Sequence, residues 1–249
     1  MDLGITGRRA AVAAGSAGLG LGAARALVDE GVAVAICGRD AKRVAAAVAD
    51  LGGAAVGIEA DLSAAGGAEM FVTDAAERLG GPIDILVCNA GGPPPGTFAS
   101  TELDAYRSAL ELNCLSTVAM CQRAVPGMQE RGWGRVVAIT SIGARQPIGF
   151  LMASSTARAA VTGFLKVLST EVAPDGVTVN NLQPGTHTTA RNAHLSPEQF
   201  AALCAEIPAG RPGDPDDFGA VAAFLCSQQA RFVTGVGLHV DGGAYRALQ

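Results

Sequence analysis

Short apolar runs alternate along the whole chain with longer stretches of helical pattern, at the spacing of successive β-α-β units. Strands are expected at Arg9–Ala14, Val32–Gly38, Ala54–Asp61, Asp84–Ala90, Arg135–Ser141, Val177–Gln183 and Gly237–Val240. Helices are expected near 19–30, 40–51, 65–79, 101–131, 152–173 and 214–228. Ile85-Leu-Val-Cys88 and Val136-Val-Ala-Ile139 are apolar throughout and do not alternate, as strands buried on both faces require. The expected fold is therefore α/β: a doubly wound, mostly parallel seven-stranded sheet with helices on both faces. No linker, repeat or charge block divides the sequence, so residues 1–249 are expected to form one domain.

Composition narrows the partners. The chain is 49% hydrophobic and 16% charged, with mean hydropathy +0.31, which suits a covered sheet plus surface hidden in a homo-oligomer, a tetramer or else a dimer. A net charge of −5 gives no electrostatic footprint for nucleic acid, and there is no basic run for acidic membranes. The longest uncharged stretches, such as Ile85–Thr101, are broken by Gly and Pro, so no membrane span is expected. Arg8 and Arg9 precede Gly-rich sequence rather than an apolar leader core. The six cysteines lack Cys-x-x-Cys spacing and mostly lie in apolar runs, which points to reduced thiols and a cytoplasmic location. The segment 186–212 interrupts the rhythm with Pro197, Pro208 and Pro212 and a short helical stretch, Ser196–Ile207, that Ser196 would cap. Following a strand's carboxyl end, it reads as a substrate lid.

The first strand runs into Ala13-Ala14-Gly15-Ser16-Ala17-Gly18-Leu19-Gly20 and then into a helix. Glycines there let the backbone approach a pyrophosphate, which rests on the helix N-terminus; glycine serving only helix–strand packing is the alternative. Further segments follow in order: Asp61-Leu62, Asn89-Ala90-Gly91, Pro184-Gly185 with Thr189, and Thr234-Gly235 with Asp241-Gly242-Gly243. Together these resemble the short-chain dehydrogenase/reductase family over essentially the whole chain, which implies a Rossmann-type fold and a nicotinamide cofactor. The glycine turn is similar to the family's Thr-Gly-x-x-x-Gly-x-Gly, with Ala13 and Ala14 replacing Thr and the first Gly. An alanine methyl is tolerable there if φ stays negative. The resemblance implies that Asp61 and Leu62 contact adenine, that Asn89, Ala90 and Gly91 line the cleft, and that Thr189 meets the nicotinamide amide. Gly38 stands where NAD-preferring relatives carry an acid, and the adjacent Arg39 suits a 2′-phosphate, so NADP is the expected cofactor.

In this family a Ser and a Tyr bind the substrate oxygen, the Tyr exchanges a proton, a Lys lowers its pKa and holds the ribose, and an Asn supports a water chain. Ser141 and Asn113 match the Ser and Asn, whereas Ser154 replaces the Tyr and Arg158 replaces the Lys. In the Lys's place, Arg158 would bind the ribose, a developing oxyanion or a carboxylate. Tyr106 and Tyr245 are poor substitutes for the missing acid. His187, just after Pro184-Gly185, is the best placed histidine; His194 is less constrained, and His239 reads as part of the last strand. Ser141-Ile-Gly-Ala-Arg145-Gln146-Pro147 and Asn89-Ala-Gly-Gly-Pro-Pro-Pro95 resemble a divergent 3-oxoacyl-carrier-protein-reductase-like subgroup that shares both replacements. Pro93–Pro95 would stiffen one wall of the cleft, and Arg145 would anchor an anionic group or make a surface salt bridge.

These readings lead to an NADP-dependent oxidoreductase interconverting a carbonyl and an alcohol on a small or medium apolar substrate. The alternatives are non-redox chemistry on the same fold (elimination, isomerisation or cyclisation) and a catalytically silent binding subunit.

Overall fold

A computed structural model describes residues 1–53, 55–193 and 195–248. Ala54 and His194, named above, lie outside the described residues. The strands are β1 (Arg9–Val12), β2 (Ala33–Gly38), β3 (Ala55–Glu59), β4 (Ile85–Cys88), β5 (Gly134–Ile139), β6 (Val177–Pro184) and β7 (Gly237–Val240). The helices are α1 (Gly18–Asp29), α2 (Ala41–Leu51), α3 (Gly67–Arg78), α4 (Leu103–Leu110), α5 (Ser116–Glu130), α6 (Met152–Val172), α7 (Pro197–Ala205) and α8 (Pro215–Cys226). All seven strands pair in parallel, in the order β3-β2-β1-β4-β5-β6-β7.

Successive strand residues feed opposite cores. In β4, Leu86 and Cys88 join the layer with Phe71, Met120 and Leu165, while Ile85 and Val87 join the layer with Leu27, Val44 and Phe218. This two-sided burial is why the strands lack polar alternation. Each fully buried Phe, such as Phe71 or Phe218, stabilises the fold by about 3–5 kcal/mol against truncation to Ala.

Most element ends shift by one or two residues from the sequence expectation, and four differences stand out. The helix expected over 101–131 is a rod interrupted by a π turn, Glu111–Leu115, between α4 and α5. The expected first strand stops at Val12 because Ala13 and Ala14 already turn. The helix expected over Ser196–Ile207 ends at Ala205, although Ser196 caps it as anticipated, accepting from the Gln199 N–H at 3.2 Å. The last helix is trimmed to Pro215–Cys226.

At the N-terminal edge of the sheet, Trp133 is clamped between Arg8 and Arg135, whose Cζ atoms lie 3.8 and 4.4 Å from the ring centroid. Arg135 is buried and donates from Nη1 to the Gly134 carbonyl at 2.8 Å. Among the described residues no helix is long and apolar enough to cross a membrane, and all six cysteines are free and buried.

Candidate active site

The strand order reverses between β1 and β4, and a crevice opens at their carboxyl ends. Leaving β1, the chain passes Ala14 at φ +45°, the one non-glycine with positive φ among the described residues. The condition under which a methyl is tolerable there, a negative φ, is not met. In the left-handed region Cβ crowds the following carbonyl, at a cost of roughly 1 kcal/mol. The turn is held on both sides: Gly15 N–H donates to the Cys37 carbonyl at 3.0 Å, and Asn89 Nδ2 donates to the Ala14 carbonyl at 3.3 Å. Gly20 is required beneath it, because a Cβ would lie 2.5 Å from the Ala14 oxygen and 2.7 Å from Asn89 Nδ2. Ala17, the residue before α1, supplies no side-chain cap, so the first N–H groups of that helix stay open to an anion.

Beside the ends of β2 and β3, Arg39, Glu59, Ala60 and Asp61 line a cavity of about 410 Å³. A Cβ on Gly38 would lie 2.7 Å from Ser16 Oγ, so an acid cannot enter this position unless Ser16 moves. The Asp61 carboxylate accepts from Ser63 Oγ at 2.6 Å and Ser63 N–H at 2.9 Å. Those bonds, with Arg39 adding a smaller pull, hold its pKa below the usual range. The Leu62 side chain is buried in the core, which leaves only its backbone for an adenine.

At the other end of the crevice, Ser141 opens a 3-10 turn over Ile142–Ala144 and its Oγ accepts the Gly143 N–H at 2.9 Å. With that lone pair engaged, the hydroxyl proton is free to be donated. Arg158, on α6, is buried and donates from Nη1 to the Ile139 carbonyl at 2.8 Å, two residues before Ser141. Among the described residues its Nε has no partner. Burial, and then the nearby charge of Arg191, push its pKa down to about 10, so it stays charged at neutral pH. Ser154 lies one turn earlier on α6, buried, with no side-chain hydrogen bond among the described residues. The neighbouring Ser155 accepts the Ile148 N–H at 3.3 Å, and so ties the loop after Ser141 to α6. Sequence reasoning passed over Ser155, since paired serines on a helix look interchangeable. Asn113 sits in the π turn, 3% exposed, with both amide atoms unpartnered.

Thr189 approaches the glycine turn, with Cγ2 3.4 Å from where a Gly18 Cβ would lie. A Cβ on Gly185, next to Pro184 at the end of β6, would meet Asp241 Cβ at 2.8 Å. His187 is buried, with Nδ1 3.1 Å from the Gly185 carbonyl and its ring edge-on to Phe218 at 5.3 Å. Burial lowers its pKa, so it is a neutral packing partner of α8. Tyr106 packs with Ala153 and Ala157, and Tyr245 stacks on His239 at 4.1 Å. Arg145 is exposed and has no ion pair among the described residues. Sequence reasoning also missed Arg191, whose guanidinium fills the space a Gly92 side chain would take; as a lone cation in an irregular segment it carries no pattern.

The family described as enoyl-(acyl carrier protein) reductase matches residues 13–245. Among curated proteins, 3-oxoacyl-[acyl-carrier-protein] reductase of Aquifex aeolicus is 32% identical, covering 98% of this chain and 100% of its own length. Dehydrogenase/reductase SDR family member 4 of Homo sapiens is 32% identical over 94% of this chain and 86% of its own. The chain belongs to the short-chain dehydrogenase/reductase family. Among solved members, L-sorbose reductase of Gluconobacter frateurii, complexed with NADPH and L-sorbose, superposes at TM-score 0.94 with 28% identity and full coverage of both chains. The 3-oxoacyl (acyl-carrier-protein) reductase of Agrobacterium tumefaciens with NADP bound gives TM-score 0.92 at 32% identity, covering 97% of this chain and 96% of that one. The seven-stranded parallel sheet is thus that of short-chain oxidoreductases.

A dinucleotide fits the residues present. The cradle at Gly20, the uncapped start of α1 and the orphaned amide of Asn113 are the features such a cofactor and its ordered water would complete. Gly15, Ser16, Gly18 and Leu19 would hold its pyrophosphate, Arg39 its adenosine end, and Ala90, Gly91 and Thr189 its nicotinamide end.

Proposed function

We propose that the chain is an NADP-dependent oxidoreductase interconverting a carbonyl and an alcohol on a small or medium substrate, with Ser154 and Arg158 taking the places of the family's Tyr and Lys. The observation that carries this reading is the hydrogen bond from Arg158 to the Ile139 carbonyl, which fixes a buried, permanent cation beside Ser141. When bound, the nicotinamide supplies or accepts the hydride.

The protein's part is electrostatic. Ser141, with its acceptor lone pair engaged by Gly143, donates to the reacting oxygen. Ser154 offers a second donor, and Arg158 stabilises negative charge developing there. Neither residue is a proton source near pH 7, because a serine titrates far higher and Arg158 holds its proton up to about pH 10. The proton comes from water ordered at Asn113. Losing a positioned general acid slows such a reaction by about 10²–10⁴-fold, and an added oxyanion donor recovers a comparable factor of about 10²–10³. NADP over NAD is supported by Arg39 beside the cavity and by Ser16 filling the space an acid at Gly38 would need. The segment 186–212 serves as the lid, and the exposed Leu238 on the edge strand β7, with Phe232 also exposed, supports a homo-oligomer.

Melting in the presence of NADP, NADPH, NAD and NADH tests the cofactor assignment: NADP and NADPH should raise the Tm most. No rise with any of the four overturns it. NADPH absorbance across a panel of ketones tests the reaction. Binding without turnover would instead favour non-redox chemistry on this fold, a reading suited by the packing of Tyr106 and Tyr245 against other partners.

A further inference from the structure

Arg191 is exposed, yet its place is fixed. It lies in a 3-10 turn, Ala190–Asn192, pinned by Asn192 Nδ2 donating to the His187 carbonyl at 3.0 Å. Two residues earlier, Thr189 touches the glycine turn after β1. The Arg191 guanidinium crosses the crevice and lies against Gly92, with Cζ 2.5 Å from the ideal Cβ position. Gly92 follows Asn89-Ala90-Gly91 at the end of β4, and Cys88 of β4 is in register with Ala138 of β5. The next residue of β5, Ile139, accepts from Arg158. The two arginines therefore both lie near the carboxyl ends of adjacent strands, one from the turn Ala190–Asn192 and one from α6.

Two guanidiniums at one place repel unless an anion lies with them, and the Arg191 charge already acts against protonated Arg158. Among the described residues no acid forms an ion pair with either. Arg158 Nε is buried and has no hydrogen-bond partner among the described residues. Planar guanidiniums recognise planar carboxylates.

We propose that Arg191 holds a substrate carboxylate, with Arg158 left to the reacting oxygen, so that the crevice takes a small oxo-acid or hydroxy-acid whose carbonyl or hydroxyl carbon lies at Ser141. The inference rests on the proposed function for the position of the reacting oxygen, and it names the substrate class of that site. The remainder of the substrate stays apolar.

The test is calorimetric titration of the full chain, with and without saturating NADP, using acetoacetate and its neutral methyl ester as probes. Acetoacetate should bind at least about tenfold tighter than the ester, and Arg191→Gln should bring the two within about twofold. Affinity for NADP in Arg191→Gln should change by less than about threefold, because the cation reads the substrate rather than the cofactor. Gly92→Ala sets a methyl in the guanidinium's place and should lower the preference as well. Equal binding of acid and ester, binding of neither, or a preference that survives either substitution overturns the proposal. So does a loss of NADP affinity in Arg191→Gln as large as the loss for acetoacetate, which would assign the cation to the cofactor's diphosphate. NADPH oxidation by neutral ketones alone would sink the carboxylate assignment and leave the oxidoreductase reading intact. Acetoacetate preference without any NADP binding would do the reverse.

Discussion

The side-chain amide of Asn89 donates to the carbonyl of Ala14, joining the loop after β4 to a residue in the left-handed region. The bond crosses the point where strand order reverses and fixes the floor on which a pyrophosphate would rest. Because a methyl at φ +45° is strained, Ala14→Gly should raise stability by about 0.5–1 kcal/mol, after the extra freedom of glycine in the unfolded chain is subtracted. Ala14→Val should lower it by about 2 kcal/mol, since a β-branched side chain tolerates this region worst. Urea midpoints at unchanged slope measure both.

The proposed preference for NADP rests on Ser16 as well as on Arg39. Arg39→Asp should move preference from NADPH toward NADH by about tenfold or more. Gly38→Asp alone should weaken both cofactors, because its Cβ meets Ser16 Oγ at 2.7 Å. Adding Ser16→Gly should restore NADH binding but not NADPH binding. Dissociation constants by fluorescence titration decide the matter, and an unchanged preference in Arg39→Asp removes Arg39 from the site.

Arg158 separates stability from activity. Replacing a buried cation by an apolar side chain of similar length is often neutral or stabilising, so Arg158→Met should melt no lower than the parent. Its kcat on a ketone substrate should nevertheless fall about 10²–10³-fold, as when an oxyanion donor is lost. Ser141→Ala should fall by a similar factor, with KM changing less than kcat. An Arg158→Met protein of normal activity would show that the cation has no part in the reaction.

His187 should make the fold acid-sensitive. Burial keeps its folded pKa below the ordinary 6.5, so the unfolded chain binds the proton first as pH falls. Stability is then full above about pH 6.5 and declines below it, until the folded state also protonates. Unfolding free energies measured from neutral to mildly acidic pH should show this decline, and His187→Leu should flatten it.

The sheet was legible because each strand is buried on both faces, and runs such as Ile85-Leu-Val-Cys88 have no other simple use. The motif residues Gly20, Asn89 and Ser141 were legible because close backbone approach and fixed donors demand particular residue types. Other features left no trace. Glu111–Leu115 reads as helix at any pitch, so the π turn that holds Asn113 is set by packing alone. Alanine does not advertise a positive φ, so the strain at Ala14 emerges only from its neighbours. Arg191 becomes meaningful only once the turn Ala190–Asn192 is folded against Gly92.

Trp133 is the chain's single tryptophan, clamped between two guanidiniums at the sheet edge opposite the crevice. It is therefore a built-in optical probe with a clean division of labour. Unfolding releases the indole from its clamp and shifts its emission, whereas a ligand entering at the far edge leaves the clamp closed. Denaturation can thus be followed without any label, undisturbed by a bound ligand.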